Sequence, residues 1–144
     1  MNTAFERNAT RYISKLSNRL KRRLDAISAF DDLPGSQSSA LRFLLTRDDI
    51  LCQKDLEDEY SIRASTASEL LNQLEAKGYL YRVENPANRR QKLIHLTEKA
   101  RSLDPGIEDR LMALDDDLTR GIAPEQLEAC LDTLEIMLKN MEKF

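Results

Sequence analysis

Residues 61–97, SIRASTASELLNQLEAKGYLYRVENPANRRQKLIHLT, change hydrophobic period partway along, and that switch leaves few folds open to the chain. Ala67, Leu70, Leu71 and Leu74 recur at the three- and four-residue steps of an α-helix. Ser65, Ser68, Glu69 and Asn72 fall on the opposite side. Gly78 stops the pattern, and Tyr79, Tyr81 and Val83 then alternate with Leu80, Arg82 and Glu84, as in a strand. Asn85-Pro86-Ala87-Asn88 is turn composition, expected to carry Arg89 and Arg90 at its tip before Ile94 and Leu96 resume the alternation. Upstream, Cys52, Leu56 and Tyr60 share one helical face, and Tyr60-Ser61-Ile62 makes a turn. Helix, turn, helix and basic hairpin describe a winged helix-turn-helix, a module that sets its second helix in the major groove of DNA.

A net charge of −3 is opposite in sign to what a DNA binder needs, so its distribution decides. Residues 61–99 carry seven basic and four acidic side chains, a balance of +3, and residues 1–30 stand at +5. Residues 31–60 and 100–144 stand at −5 and −6. A polyanion responds to the local field more than to the total, so the reading segment is positive within an acidic protein. The 144 residues support one domain with a real core. No apolar run is long enough to span a membrane, so no membrane partner is expected. Cys52 and Cys130, without a close pair, argue for a reducing cytoplasm.

The termini read differently. Ile13, Leu16, Leu20, Leu24 and Ile27 make one stripe on a long first helix, with Phe5 and Ala9 extending it backward. Leu127, Leu131, Leu134, Leu138 and Met141 step by four, three, four, three, the signature of helix-on-helix packing, after a helix start at Pro124. Leu103, Ile107, Leu111, Leu114 and Leu118 form a third stripe, kinked or restarted at Asp104-Pro105-Gly106. These faces can be buried in an intrachain bundle or in a two-fold dimer, and pattern alone does not choose.

LCQKDLEDEYSIRASTASELLNQLEAKGYLYR followed by NRRQKLIHLT resembles the MarR family of bacterial transcriptional regulators over nearly the whole chain. The family pattern has a recognition-helix start "I-x-x-x-T-x-S", then "LE-x-KG", a wing "D-x-R" and a closing "LT". Three residues depart from it: Asn88 stands for the usual wing Asp, Glu69 replaces a basic or neutral residue, and Cys52 replaces a Thr or Ser helix cap. The departures bear on DNA affinity and target sequence rather than on fold. The resemblance implies a mainly α protein with a small β-hairpin wing. Residues 1–144 then form a single domain, with a winged helix-turn-helix DNA-binding core over 36–97. Residues 1–35 and 98–144 form the helical dimerisation region, which favours the dimer. It further implies a cytoplasmic homodimer on a near-palindromic double-stranded operator, acting as a repressor relieved by a small aromatic effector.

Several residues are candidates for DNA contact on this reading. Serine and threonine are poor helix formers, so Ser65, Thr66 and Ser68 in the first turns suit a cap or a contact surface better than a passive face. Asn72 is of the type that pairs with adenine N6 and N7. Arg89 and Arg90 suit minor-groove insertion, while Arg63 and Lys92 suit phosphates. Two rivals are a winged-helix protein-interaction module without DNA binding, supported by Glu69 and the acidic balance and opposed by Arg63, Arg89 and Arg90, and a redox-responsive regulator using Cys52. Against the second, Cys52 shares a face with Leu56 and Tyr60, where a thiol behaves as a small hydrophobe. His95 is expected to be an exposed wing residue; one histidine cannot serve a zinc site or a nucleophile–base pair, and no glycine loop cradles phosphate. No metal, cofactor or catalysis is expected.

Overall fold

The structure, a computed structural model, describes residues 3–27, 30, 33–103 and 106–142, with Thr3 and Ala4 described by backbone alone. It divides into two compact units, Met1–Arg110 and Leu111–Phe144. In the first, the expected long N-terminal helix is two helices, α1 (Thr3–Glu6) and α2 (Ala9–Ile27). Asn8 makes the break: its Oδ1 accepts the Arg11 N–H at 2.8 Å, capping α2 as an asparagine side chain does best. Phe5 therefore lies outside the α2 stripe and is 73 % exposed.

α3 (Gly35–Leu45) buries Ala40, Leu41, Phe43 and Leu44. Arg42 is also buried, donating to the Leu24 carbonyl at 3.1 Å and to Ser39 Oγ at 3.1 Å, which fastens the end of α2 to α3. A two-residue strand, β1 (Leu51–Cys52), leads into α4 (Gln53–Tyr60) and α5 (Ala64–Ala76). The hairpin strands β2 (Leu80–Asn85) and β3 (Asn88–Leu96) follow. The sheet order is β1-β3-β2, antiparallel throughout, with Leu51 opposite Ile94 and Leu80 opposite Leu96. Leu41, Leu56, Leu71, Leu74, Tyr79 and Leu80 form the centre of the core, so the stripe expected on the second helix is the face that packs.

Gly78 ends α5 as expected, and the bonds show why. Its own N–H reaches the Glu75 carbonyl at 3.0 Å and that of Tyr79 reaches Leu74 at 3.0 Å, the two bonds of a Schellman cap. The cap needs φ of +84° at Gly78, which a side chain there disfavours. Thr97 then closes the hairpin onto this cap, donating to the Gly78 carbonyl at 2.7 Å and accepting from Ala100 N–H at the start of α6 (Glu98–Arg101).

α7 (Ile107–Thr119) starts past the expected kink, of which Asp104 and Pro105 lie outside the described residues. The second unit takes in the rest of α7 and α8 (Pro124–Met141), with Pro124 in the first turn as anticipated. Gly121, at φ +80°, makes the turn between them. None of the residues of α2 or α8 is buried. Along the α8 stripe Leu131, Leu134, Leu138 and Met141 are all exposed, Leu138 by 70 %. Among the described residues no helix is long and apolar enough to cross a membrane.

Candidate nucleic-acid interface

α4 and α5 are set against each other by a tight turn. Ser61 takes the left-handed conformation at φ 51°, and the Ile62 N–H closes onto the Glu57 carbonyl at 3.1 Å. Gln53 donates to the Ala64 carbonyl at 3.1 Å, tying the start of α4 to the start of α5. A second brace comes from α3. Buried Gln37 donates to Gln73 Oε1 at 2.9 Å and accepts from Lys77 Nζ at 2.8 Å, so the back of α5 is held by amides and its far side is left open.

That open side carries the predicted residues. Arg63, at the N-cap of α5, is exposed, as are Ser65, Thr66, Glu69 and Asn72, while Ser68 is half-buried beside the packed stripe. Asn72 is engaged, however: its Oδ1 accepts from Nη2 of Arg82 on β2. The same Nη2 donates to Glu75 Oε2 at 3.1 Å, and the Arg82 backbone N–H donates to Glu75 Oε1 at 3.0 Å. The Glu75 carboxyl is held below its ordinary value chiefly by the hydrogen bond from the Arg82 side chain, with burial opposing and Lys92 assisting. Arg82 and Glu75 were missed in the sequence. The available signal was phase, because Arg82 alternates in step with Leu80, which is buried.

The wing differs from expectation in where its tip lies. Pro86 and Ala87 form the turn, and Arg89 and Arg90 stand just beyond it on β3. Successive strand residues face opposite ways, so the two arginines leave β3 on opposite faces. Arg90 shares a face with Lys92 and Ile94, and Arg89 shares the other with Gln91 and Leu93; Arg89, Arg90 and Lys92 are all exposed. Asn88, in place of an acidic wing residue, accepts the Arg90 N–H at 3.2 Å, so the turn is closed by a neutral bond. His95 is half-buried rather than exposed, because its ring stacks on Tyr81 at 5.3 Å.

Cys52 is the last residue of β1 as well as the cap of α4. Its N–H donates to Asp55 Oδ2 at 2.8 Å, its thiol donates to the same oxygen at 3.3 Å, and Gln91 donates to Sγ at 3.0 Å. A buried thiol so enclosed joins α4 to the wing. Among the described residues no group of three or more His, Cys, Asp or Glu could hold a metal ion.

Comparison with known proteins agrees with this geometry. The sequence profile of the MarR family matches residues 31–91. The transcription regulator MarR from Oenococcus oeni PSU-1 is 31 % identical, with a TM-score of 0.77 over 92 % of this chain and 99 % of that one. A putative MarR family transcriptional regulator from Listeria monocytogenes, solved in complex with 26mer DNA, is 22 % identical, with a TM-score of 0.77 over 94 % and 89 %. CouR from Rhodococcus jostii RHA1, bound to p-coumaroyl-CoA, is 20 % identical, with a TM-score of 0.72 over 99 % of both chains. At that identity the last two show likeness of fold alone. Among curated proteins none matches this sequence.

Proposed function

The chain belongs to the MarR family of transcriptional regulators, and we propose that it works as a cytoplasmic homodimer reading a near-palindromic operator in double-stranded DNA. The observation that carries this is the open side of α5: uncharged polar groups at Ser65, Thr66 and Asn72 stand exposed between Arg63 and the basic strand β3. Phosphate contacts from Arg63 and Lys92 position the helix, the wing arginines Arg89 and Arg90 reach the minor groove, and the uncharged groups meet base edges. The Listeria relative solved with DNA supports the same use of the fold. Residues 36–97 are the reading head on this view, and residues 1–35 and 98–144 pair with a second copy, which covers the apolar stripes left open on α2 and α8.

Repression, and its relief by a small aromatic effector, draw on the sequence resemblance and on the ligand bound to the Rhodococcus relative. The logic is population shift: an effector that binds more tightly to a dimer with misplaced recognition helices lowers DNA affinity by that difference. A redox reading through Cys52 is disfavoured by its burial and by the carboxylate its thiol faces. The interaction-module reading keeps one supporting observation, the exposed Glu69 on the α5 face. Selection of bound fragments from the source genome, followed by anisotropy titration, tests the proposal. Enrichment of one near-palindrome is expected, and a protein that enriches nothing refutes DNA reading in favour of that module.

A further inference from the structure

Polar residues of α3 tie it to three other helices. Gln37 bonds Gln73 and Lys77 of α5. The Tyr60 hydroxyl, at the end of α4, donates to the Ser39 carbonyl at 2.7 Å. Arg42 donates to the Leu24 carbonyl of α2 and to Ser39 Oγ. A second arginine meets α2 three residues on: Arg110, in the first turn of α7, donates from Nη2 to the Ile27 carbonyl at 2.8 Å. Both carbonyls lie at the negative end of the α2 dipole, and the last turn of α2 has no basic residue of its own. The cations that hold this end are supplied by α3 and α7.

Packing alone fixes α2 poorly. None of its residues is buried; Leu20, Leu24 and Ile27 are half-buried, and every residue from Ala9 to Arg19 is exposed. The helix is thus anchored near one end, while the other carries the open stripe that the proposed dimer covers. A helix of 19 residues is about 28 Å long, so a tilt of about 7° at the anchor shifts the far end by about 3.4 Å, the rise of one base pair. In a dimer that far end is set by the partner, and the same tilt swings the reading head with its α5. Such a swing pulls Leu24 away from a buried guanidinium and strips it of an acceptor, which is costly. We propose that Arg42 and Arg110 are positioning residues: they fix α2 against the reading head, and so set the half-site spacing that the dimer accepts. The inference rests on the DNA-reading dimer proposed above.

The experiment is a set of anisotropy titrations on the selected operator, on copies with one base pair added or removed between the half-sites, and on a copy with one half-site scrambled. Held at one separation, the unmodified protein should forfeit at least one base contact on the altered spacings, roughly a 5- to 150-fold loss of affinity. R42M keeps a long side chain without its donors. Shown folded by circular dichroism and dimeric by sedimentation, it should bind the scrambled copy as the unmodified protein does, yet lose most of the spacing penalty. R110A, an exposed change, should reduce the penalty in the same direction. A merely structural role would weaken binding to every copy alike and keep the penalty, and that result in either variant overturns the proposal. R110A therefore decides alone where R42M fails to fold. An unmodified protein indifferent to spacing also overturns the proposal. Selection of no operator, or an unmodified protein that sediments as a monomer, is a different result, which refutes the DNA-reading dimer itself.

Discussion

Replacing Leu138 with Ala tests the proposed assembly most directly, because the single chain leaves that side chain 70 % exposed. Little intrachain packing is lost by the change, so folding of the monomer is not the quantity at risk. Burying a leucine side chain fully stabilises by about 1.5 to 3 kcal/mol. Covering the seven-tenths that is open would therefore contribute about 1 to 2 kcal/mol per chain. A two-fold interface uses each position twice, so Leu138→Ala should weaken the dimer by about 2 to 4 kcal/mol, roughly 30- to 1000-fold in Kd. Sedimentation across a concentration series reads this directly. Asp132→Ala, an exposed change on the far side of α8, serves as control and should leave the constant nearly unmoved. A Leu138→Ala protein that associates as tightly as the unmodified one would refute the assignment of this stripe to the interface. A well-behaved monomer from the unmodified protein would refute the dimer altogether.

Three further outcomes follow from the site. Arg89→Ala with Arg90→Ala should weaken DNA binding and flatten its salt dependence, since fewer counterions are released; an unchanged slope in an anisotropy titration would remove the wing from the mechanism. Asn72→Ala should cost about 1 to 3 kcal/mol on the preferred operator and little on random DNA, and equal losses on both would mean that Asn72 only positions the helix. The Glu75 carboxyl is depressed in the folded protein, so its contribution is present above the unfolded value and lost as pH falls through the folded one. Denaturant midpoints of the unmodified protein and Glu75→Gln should therefore differ at neutral pH and converge in the acid range, and a gap that stays constant would contradict the Arg82–Glu75 assignment.

The elements that were readable in advance are those whose stability is written in local repetition. Ala67, Leu71 and Leu74 recur at one face, Gly78 supplies a backbone angle that other residues resist, and Pro124 marks a first turn, so α5, its end and the start of α8 could be placed. β1 could not, because two residues have no period and exist as a strand only through pairing with Leu93 and Ile94, far along the chain. The break at Asn8 was missed because the apolar spacing runs through it, while the cap that makes it is a single polar side chain. Among site residues, charge and polarity pointed to Arg63, Ser65, Thr66, Ser68, Asn72, Arg89, Arg90 and Lys92, and all of these but the half-buried Ser68 are exposed. Arg82 was hidden because its part depends on partners on another element, ten and seven residues back.

The unequal lengths of the three strands have a mechanical consequence. β1 grips β3 only at Leu93 and Ile94, while β2 follows β3 out to the turn, with a register slip between Glu84 and Asn85. From Lys92 outward the wing is thus a two-stranded ribbon, and such a ribbon alone is only marginally stable in water. It behaves as a cantilever clamped at its root by β1 and by the Gln91 contact with Cys52, with its basic load near the free end. On the proposed DNA-reading function, bending at the slip would let Arg89 and Arg90 follow a duplex whose groove width varies, while α5, braced on the other side of the clamp, would keep its own register. Amide exchange along β3 should accordingly slow from Asn88 toward Ile94, the gradient marking where compliance gives way to the rigid head.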